Sequence, residues 1–200
     1  MTKRVADVVM ALLLLVLTLP IQVLTAALVA VDLGRPVIFR QLRAARGEGT
    51  FQLVKFRSMR HQPAGASLSD EERVTAVGRF LRRTRFDELP QLWLILRGDM
   101  AFVGPRPLYP RAHSTSNDDL FDYRRRARPG MTGWAQVNGN TLLSEREKLA
   151  LDAYYVGHAS FGFDLLIVVM TVGVILRGER RNEKALKEAL AYADRLDRRG

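Results

Sequence analysis

The chain opens with a long run of apolar side chains that contains no charged residue. The run extends from Val8 to Val31, and its length of about 24 residues is sufficient for a helix that crosses a lipid bilayer. Lys3 and Arg4 precede the run and Arg35 follows it, so cations flank both ends. Three interpretations fit this pattern: a cleaved signal peptide, a helix that spans the membrane, and a re-entrant helix that enters and leaves on one side.

Pro20 lies near the middle of the apolar run and favours the re-entrant path. Proline has no backbone N–H and clashes with the preceding turn, so it kinks a helix. Thr18 and Gln22 supply polar groups beside the kink. Cations on both flanks give no clear orientation for a spanning helix, and they fit two ends that both stay in the cytoplasm. From these residues alone the spanning and re-entrant paths are equally well supported.

After the apolar run the pattern changes to short strands and amphipathic helices. Apolar stretches at 37–39 and 51–54, separated by a polar segment with glycines, predict a small β-hairpin. Ser69 precedes three acidic residues, which predicts the start of a helix whose apolar positions continue to Leu81. Further along, segments 63–69 and 114–119 are polar and predict loops, whereas helices are predicted at 144–155, 165–176 and 179–199.

The segment 165–176 carries no charge, but its length of about 12 residues is too short to span a bilayer. It is therefore a core helix or an interfacial helix. The charged tail at 179–199 places apolar residues on one face, which is typical of a solvated or docking helix. Together these elements predict an α+β fold that is mostly helical, with short strands and interfacial helices behind an N-terminal membrane segment.

The composition limits the class of partner that the protein is expected to bind. The 200 residues carry a formal net charge of +10, which predicts an anionic partner such as nucleic acid, an anionic lipid surface or a phosphorylated substrate. The absence of cysteine excludes disulfides and thiolate metal sites.

An adjacent carboxylate pair, Asp87-Glu88, stands out among arginines. Two neighbouring carboxylates can hold a divalent metal, and one of them can attack phosphorus. Downstream, Arg106 lies between two prolines, which restrict the backbone and present the guanidinium for bidentate phosphate binding. The plainer alternatives are an exposed acidic pair, with Asp87 capping the helix that Pro90 begins, and a simple turn around Arg106.

Two other segments are candidates for substrate binding. In residues 55–60 bases alternate with apolar residues, so a strand would place Lys55 and Arg57 on one face; an edge strand protected by cations is the alternative. Residues 128–134 join Arg128 to a tight turn, a threonine and Trp134, a combination that can cradle a nucleotide. A tryptophan in the core is the alternative for this second segment.

The motifs, in their order along the chain, resemble the bacterial sugar transferase family, specifically the small monotopic phosphoglycosyl transferases. The matching stretches cover roughly residues 3–176 and are KFRSMR (55–60), DELPQL (87–92), RGDMAFVGPRPL (97–108), RPGMTGWAQVNG (128–139) and LDAYYV (151–156). The resemblance implies transfer of a phosphosugar from a UDP-sugar to a polyprenyl phosphate such as undecaprenyl phosphate, with release of UMP. This would be the first membrane step of bacterial glycoconjugate assembly.

The resemblance also implies a mechanism and roles for particular residues. Asp87 would be the nucleophile of a ping-pong reaction through a covalent phosphosugar, with Glu88 as its partner and Mg²⁺ as cofactor held by both carboxylates. Arg106 would clamp phosphate, and Arg82 and Asp164 fall at polar family positions near the site. The full set expected to bind substrates is Lys55, Arg57, Arg82, Arg106, Arg128, Gln136 and Asp164. The family's membrane segment is re-entrant and broken at a proline, which here is Pro20.

From the resemblance we expect three regions: a membrane anchor at 1–34, a catalytic domain at 35–178 and a charged tail at 179–200. The expected location is the bacterial inner membrane, with the catalytic domain on its cytoplasmic face. The expected partners are the UDP-sugar, the polyprenyl phosphate and membrane lipids, with a homodimer as a further possibility and no nucleic acid.

The chain departs from the family pattern at several positions. Asn140-Thr141 stands where relatives usually carry Arg-Asn, and Leu143-Ser144 where a tryptophan is usual; both changes are expected to affect sugar recognition. Leu19 and Ala101 each replace a common serine. The sequence does not identify the sugar, and a non-catalytic, basic membrane-surface binding protein is the competing class.

Overall fold

The computed structural model describes residues 2–62, 67–110 and 119–198. The chain folds as two compact units. The N-terminal unit comprises residues 5–41 and 52–97, and the C-terminal unit comprises residues 1–4, 42–51 and 98–200. The polar loops predicted at 63–69 and 114–119 lie largely outside the described residues.

The apolar run forms most of one long helix, α1 (Thr2–Leu33), and the helix continues through Pro20 without interruption. Among the described residues it is the one helix long and apolar enough to cross a membrane, judged by length and composition. The Thr18 hydroxyl donates to the carbonyl of Leu14 at 2.6 Å and accepts from Gln22 at 3.1 Å, so polar groups near the proline satisfy one another. The exposed apolar surface of α1 fits membrane association, while its re-entrant path stays a prediction.

The N-terminal unit continues with short elements, although residues 42–51 of its first two strands belong to the C-terminal unit. The predicted β-hairpin is confirmed as β1 (Ile38–Ala44) and β2 (Thr50–Phe56), which form a two-stranded sheet. Ser69 and Glu72 form a capping box, as expected for the start of a helix, but that helix ends at Arg73 and the apolar positions up to Leu81 belong to a second helix capped by Thr75. The helices of this unit are α2 (Asp70–Arg73), α3 (Ala76–Thr84) and α4 (Gln91–Arg97), with a 3-10 turn at Phe86–Glu88. Val29, Phe56 and Leu81 form its apolar core.

The C-terminal unit contains two parallel strands, β3 (Ala101–Val103) and β4 (Gly130–Thr132). At their ends, glycines allow the backbones to approach, because a Cβ on Gly104 would lie 2.2 Å from the Arg128 carbonyl oxygen. The helices are α5 (Asp119–Arg124), α6 (Trp134–Val137), α7 (Glu145–His158), α8 (Phe161–Arg177) and α9 (Glu183–Asp197), with a 3-10 turn at Asn140–Leu142.

The predicted amphipathic tail is confirmed as α9, and it is a docked element. Leu186, Ala189 and Ala193 of α9 are buried in one core cluster with Leu151 of α7. In contrast, α8 buries Ile167 but leaves a stripe of apolar residues exposed. The fold class is therefore confirmed as a mostly helical α+β fold with a long apolar N-terminal helix and a few short strands.

Candidate functional site

A sharp turn between α3 and α4 determines where the carboxylate pair lies. Arg85 adopts a left-handed conformation with φ of 60°, which is uncommon for a residue with a side chain. The chain therefore leaves α3 abruptly and enters the 3-10 turn that carries Asp87 and Glu88. The alternative in which Asp87 is an exposed helix cap is wrong: its side chain is buried, only 7% exposed, and α4 begins at Gln91.

Glu88 is held by cations. Lys55, near the end of β2, places its Nζ 2.6 Å from Glu88 Oε1, and the guanidinium of Arg85 lies 3.8 Å from the same oxygen. The Glu88 side chain is largely shielded, so these ion pairs are less screened than surface pairs. The structure thus brings Lys55 to the acidic pair that lies 33 positions along the chain.

Asp87 has a different environment. Its Oδ1 atom is buried and accepts no hydrogen bond. Burial, together with the neighbouring negative charge of Glu88, raises the pKa of Asp87 to about 6, against the opposing effects of Lys55, Arg85 and Arg82. A carboxylate with this pKa is ionised at neutral pH yet weakly solvated, which suits a nucleophile.

The pair also fits Mg²⁺. Among the residues that the structure describes, no group of three or more His, Cys, Asp or Glu side chains is arranged as a metal site. Mg²⁺ commonly uses only one or two carboxylates and completes its shell with water and substrate phosphates. The unpartnered Oδ1 of Asp87, next to a second carboxylate, is a suitable ligand for such an ion.

Arg82 and Arg57 lie in the same unit as the pair. Arg82 Nε donates to the Ser58 hydroxyl at 3.0 Å. Arg57 follows β2 rather than belonging to it, so the expected strand face shared with Lys55 is wrong. Its buried guanidinium donates to the carbonyls of Leu33 and, at 2.6 Å, Gly34. Arg57 therefore satisfies the carbonyls at the end of α1.

In the C-terminal unit, Arg106 is held from two sides. Its guanidinium donates to Asn140 Oδ1 at 3.1 Å, and its backbone carbonyl accepts from the guanidinium of Arg124. Arg124 is itself paired with the buried Asp152, at 2.9 and 2.8 Å. Arg106, which lies between two prolines, is thus held both at its backbone carbonyl and at its guanidinium, which matches the expectation of a rigid arginine.

Three other residues expected to bind substrate, Asp164, Gln136 and Arg128, also lie in the C-terminal unit. Asp164 accepts a hydrogen bond from Tyr155 at 2.7 Å and forms an ion pair with Lys3 of α1. Gln136 buries an Oε1 atom that accepts no hydrogen bond, which leaves an acceptor for a ligand. Arg128 is half-buried and lies two residues before β4. The roles of these residues in substrate binding stay predictions.

Trp134, close in sequence to Arg128 and Gln136, packs against another aromatic side chain. Trp134 contacts Phe163 edge to face, with 4.8 Å between ring centroids, as the core alternative for this residue predicted.

Sequence reasoning missed several polar residues that support the arginines. Arg124 and Asp152 lie 28 positions apart, and Asn140 and Glu179 lie 39 apart, so no local pattern joins them. Asp152 does fall in one of the resembling motifs, and Asn140 is one of the departures from the family pattern. Lys3 was interpreted only as a flanking charge.

The motifs, the acidic pair and the long apolar helix agree with a comparison against protein families. The model of the family described as bacterial sugar transferase matches residues 1–178. The chain belongs to this family. The matched region of this bacterial sugar transferase includes α1, the acidic pair and Arg106, and it ends before α9.

Individual relatives give the same picture. The chain is 40% identical over 189 residues to the uncharacterized sugar transferase EpsL of Bacillus subtilis, with 88% of each chain covered. It is also 40% identical to the UDP-glucose:undecaprenyl-phosphate glucose-1-phosphate transferase of Caulobacter vibrioides, covering 87% of this chain and 69% of the relative.

A third relative is named for a different sugar. The chain is 37% identical to the UDP-N-acetylgalactosamine-undecaprenyl-phosphate N-acetylgalactosaminephosphotransferase of Aeromonas hydrophila, of which it spans only 44%. Relatives of similar identity are thus named for glucose and for N-acetylgalactosamine, so identity does not identify the sugar.

Proposed function

We propose that this bacterial sugar transferase moves a sugar phosphate from a UDP-sugar to undecaprenyl phosphate, giving undecaprenyl-diphospho-sugar and UMP. The observation that carries the proposal is Asp87, a buried carboxylate next to Glu88 whose Oδ1 has no hydrogen-bond partner, in a chain whose relatives are named for this reaction. The alternative, a non-catalytic membrane-surface protein, gives no reason for a carboxylate with a raised pKa beside a second acid.

The proposed chemistry has two balanced displacements. In the first, a carboxylate oxygen of Asp87 attacks the phosphorus that carries the sugar, and the bond from that phosphorus to the bridging oxygen breaks, so UMP leaves with the bridging oxygen. In the second, a phosphate oxygen of the lipid attacks the same phosphorus, and the aspartyl oxygen leaves as a regenerated carboxylate. Neither step requires net proton transfer, which fits a nucleophile that is already ionised at neutral pH.

Charge repulsion is the main obstacle, because a carboxylate must approach an anionic diphosphate. Lys55 and Arg85 hold Glu88, so the second acid adds less negative charge to the site. Asp87 and Glu88 would hold Mg²⁺, which when bound neutralises phosphate charge and stabilises the transition state. Arg106 supplies a fixed guanidinium for the diphosphate. The further residues proposed to support substrate binding are Arg82, Arg57, Arg128, Gln136 and Asp164.

The lipid substrate requires a site at the membrane surface. Besides α1, the exposed stripe of α8 offers an apolar face that can lie in the interface, formed by Phe161, Leu165, Val169, Val172 and Leu176. We propose that the protein acts at the bacterial inner membrane with its catalytic domain on the cytoplasmic face. The net charge of +10 favours binding to that anionic leaflet.

We further propose that α1 is re-entrant. Lys3, in its first turn, bonds the Val103 carbonyl at 3.1 Å and pairs with Asp164. After Leu33, the described residues contain no second helix that is long and apolar enough to cross a bilayer, so these later segments stay on one side. An N-terminus bound to them lies on that same side, which supports an α1 that enters and leaves through one face.

Labelling of tags at the two ends tests this topology. Both residue 1 and residue 200 are expected to be accessible from the cytoplasm only. Pro20→Ala is expected to shift the protein toward a spanning form, since it restores a backbone donor. Labelling of the wild-type N-terminus from the opposite side would refute the re-entrant path.

The reaction is tested with purified protein, Mg²⁺, undecaprenyl phosphate and a panel of UDP-sugars, with UMP release as the readout. We expect release with at least one donor. The covalent route is tested by omitting the lipid: about one UMP per enzyme is expected, together with a mass increase of one phosphosugar. Lipid binding without UMP release from any donor would favour the membrane-surface alternative, and UMP release only with lipid would favour direct attack by the lipid phosphate.

A further inference from the structure

The guanidinium of Arg106 is connected through Asn140 to Glu179, a residue just beyond the family match. Asn140 Oδ1 accepts from Arg106 at 3.1 Å, and Asn140 Nδ2 donates to Glu179 Oε1 at 2.5 Å. We call these three side chains the Glu179–Asn140–Arg106 network. The second oxygen of Glu179 accepts from the backbone N–H of Thr141 at 3.1 Å and from its hydroxyl.

The network fixes the orientation of the Asn140 amide. A carboxylate can only accept hydrogen bonds, so Glu179 requires the NH₂ group of Asn140 on its side. The amide oxygen must then point the other way, toward Arg106, which can only donate. Asn140 is buried, and its positive φ of 44° is a conformation that asparagine tolerates better than most residues. The donors and acceptors of all three side chains are therefore consistent with one arrangement.

The neutral amide between the two charged groups has a chemical consequence. A carboxylate bonded directly to Arg106 would neutralise its charge and compete with a phosphate for its N–H donors. The amide oxygen instead holds the guanidinium through one N–H group and brings no negative charge into direct contact with it. Glu179 thus contributes to the position of Arg106 without contacting it.

We propose that Glu179 is a positioning residue for the donor diphosphate, acting through Asn140 on the guanidinium of Arg106. This inference rests on the proposed function, which assigns Arg106 to phosphate binding. The proposal also gives a different role to Asn140 and Thr141, the two residues that depart from the family pattern and were expected to affect sugar recognition. Both of them donate hydrogen bonds to Glu179.

The principal test is Glu179→Ala, with Glu183→Ala as the matched control. Glu183 lies in the same segment, and its carboxylate pairs with Arg181 at 2.6 Å rather than with Asn140. We expect Glu179→Ala to raise the donor KM and the Kd for UDP about tenfold, while the KM for the lipid acceptor stays within about twofold. Glu183→Ala should leave all three constants unchanged. Equal donor KM and UDP affinity in the two variants would overturn the proposal.

A double variant separates positioning from general stability. In an Arg106→Ala background, Glu179→Ala should cause no further loss of UDP affinity, because the group that it positions is gone. A second tenfold loss in that background would show that Glu179 acts by another route and would refute the network. Thermal unfolding of each variant shows whether the fold is retained.

If Glu179→Ala fails to fold, Asn140→Asp combined with Glu179→Gln provides the test. The NH₂ group of the introduced glutamine can donate to the introduced carboxylate, so the geometry is kept, but that carboxylate now pairs directly with Arg106. We expect a folded protein that binds UDP about tenfold more weakly, and wild-type affinity would refute the role of the neutral amide.

Wild-type protein that binds UDP but releases no UMP would refute the proposed function alone, because UDP binding measures the network independently of turnover.

Discussion

Two buried aspartates, one in each unit, differ in the charged groups that contact them. Asp87 lies next to Glu88, and its Oδ1 accepts no hydrogen bond. Asp152 is only 1% exposed; its Oδ2 accepts a hydrogen bond from Arg124 Nε at 2.9 Å and lies 2.8 Å from Arg124 Nη2, while its Oδ1, like that of Asp87, has no hydrogen-bond partner. Burial raises the pKa of both carboxyls. For Asp152 the positive charge of Arg124 is the largest effect that lowers the pKa again, whereas for Asp87 the negative charge of Glu88 raises the pKa further.

The comparison distinguishes a structural carboxylate from a reactive one. A buried acid with a hydrogen-bonded arginine is compensated, and its removal leaves an unpaired cation. A buried acid beside another acid and without a directly bonded cation is only partly compensated, so it costs stability while it remains available for a metal or a phosphorus atom. The sequence around each residue does not show this difference, because Arg124 is remote from Asp152 along the chain.

The largest expected effect is on turnover. Asp87→Asn should lower UMP release at least about 10³-fold, because an amide oxygen is a poor nucleophile and carries no charge for a metal. The same substitution at the exposed Asp70, also in the N-terminal unit, is the control and should leave the rate unchanged. An Asp87→Asn protein with near wild-type turnover would remove Asp87 as the nucleophile.

Asp152→Asn should instead destabilise the fold. It leaves Arg124 buried and uncompensated, for which the expected loss is about 3 to 5 kcal/mol in the free energy of unfolding. Asp194→Asn breaks the exposed pair with Arg146, which is 3.0 Å long, and should cost less than about 1 kcal/mol. Denaturant unfolding in detergent measures both, and equal losses would mean that burial of the Asp152 pair has no energetic importance.

Asp87→Asn should have the opposite effect on stability, in a pH-dependent way. The folded-state pKa of Asp87 is raised from 3.8 to about 6, so its ionisation opposes folding increasingly as pH rises between these values. The variant should be more stable than wild type by up to about 3 kcal/mol above pH 6, and the difference should vanish below pH 4. Unfolding in EDTA at several pH values tests this, and a difference that grows toward acid pH would contradict the assigned environment.

The smallest expected effect concerns the helix that carries Asp152. Ser144 caps α7 by accepting from the Glu147 N–H at 3.3 Å, and Ser144→Ala should cost about 1 kcal/mol. The loss should therefore be well below that of Asp152→Asn. A loss as large as that of Asp152→Asn would show that α7 depends on its cap more than on the buried pair.

Local sequence was sufficient for several parts of the molecule. The length and composition of 8–31 predicted a long apolar helix, and α1 confirms it. Ser69 and Ser144 precede helices with acids in the first turn, and both form capping boxes. Such features depend on residues a few positions apart, which fold in nearly the same way in most surroundings.

Predictions that required knowledge of burial were less successful. Asp87 was open to interpretation as an exposed cap, but the left-handed turn at Arg85 directs the chain so that its side chain is enclosed. Arg57 was placed on a strand face with Lys55, but β2 ends at Phe56 and the arginine binds carbonyls at the end of α1. In both cases tertiary contacts overrode the local pattern.

The sequence by itself determined the family, the adjacency of Asp87 and Glu88, and the rigid setting of Arg106, since these are encoded by neighbouring residues. Only the tertiary structure decided which of the two buried aspartates is directly ion-paired. It placed Arg124 on Asp152, whereas Lys55 and Arg85 bind Glu88 rather than Asp87. The physical reason is that desolvation and ion pairing depend on distances in space, and the side chains that set them come from distant parts of the chain.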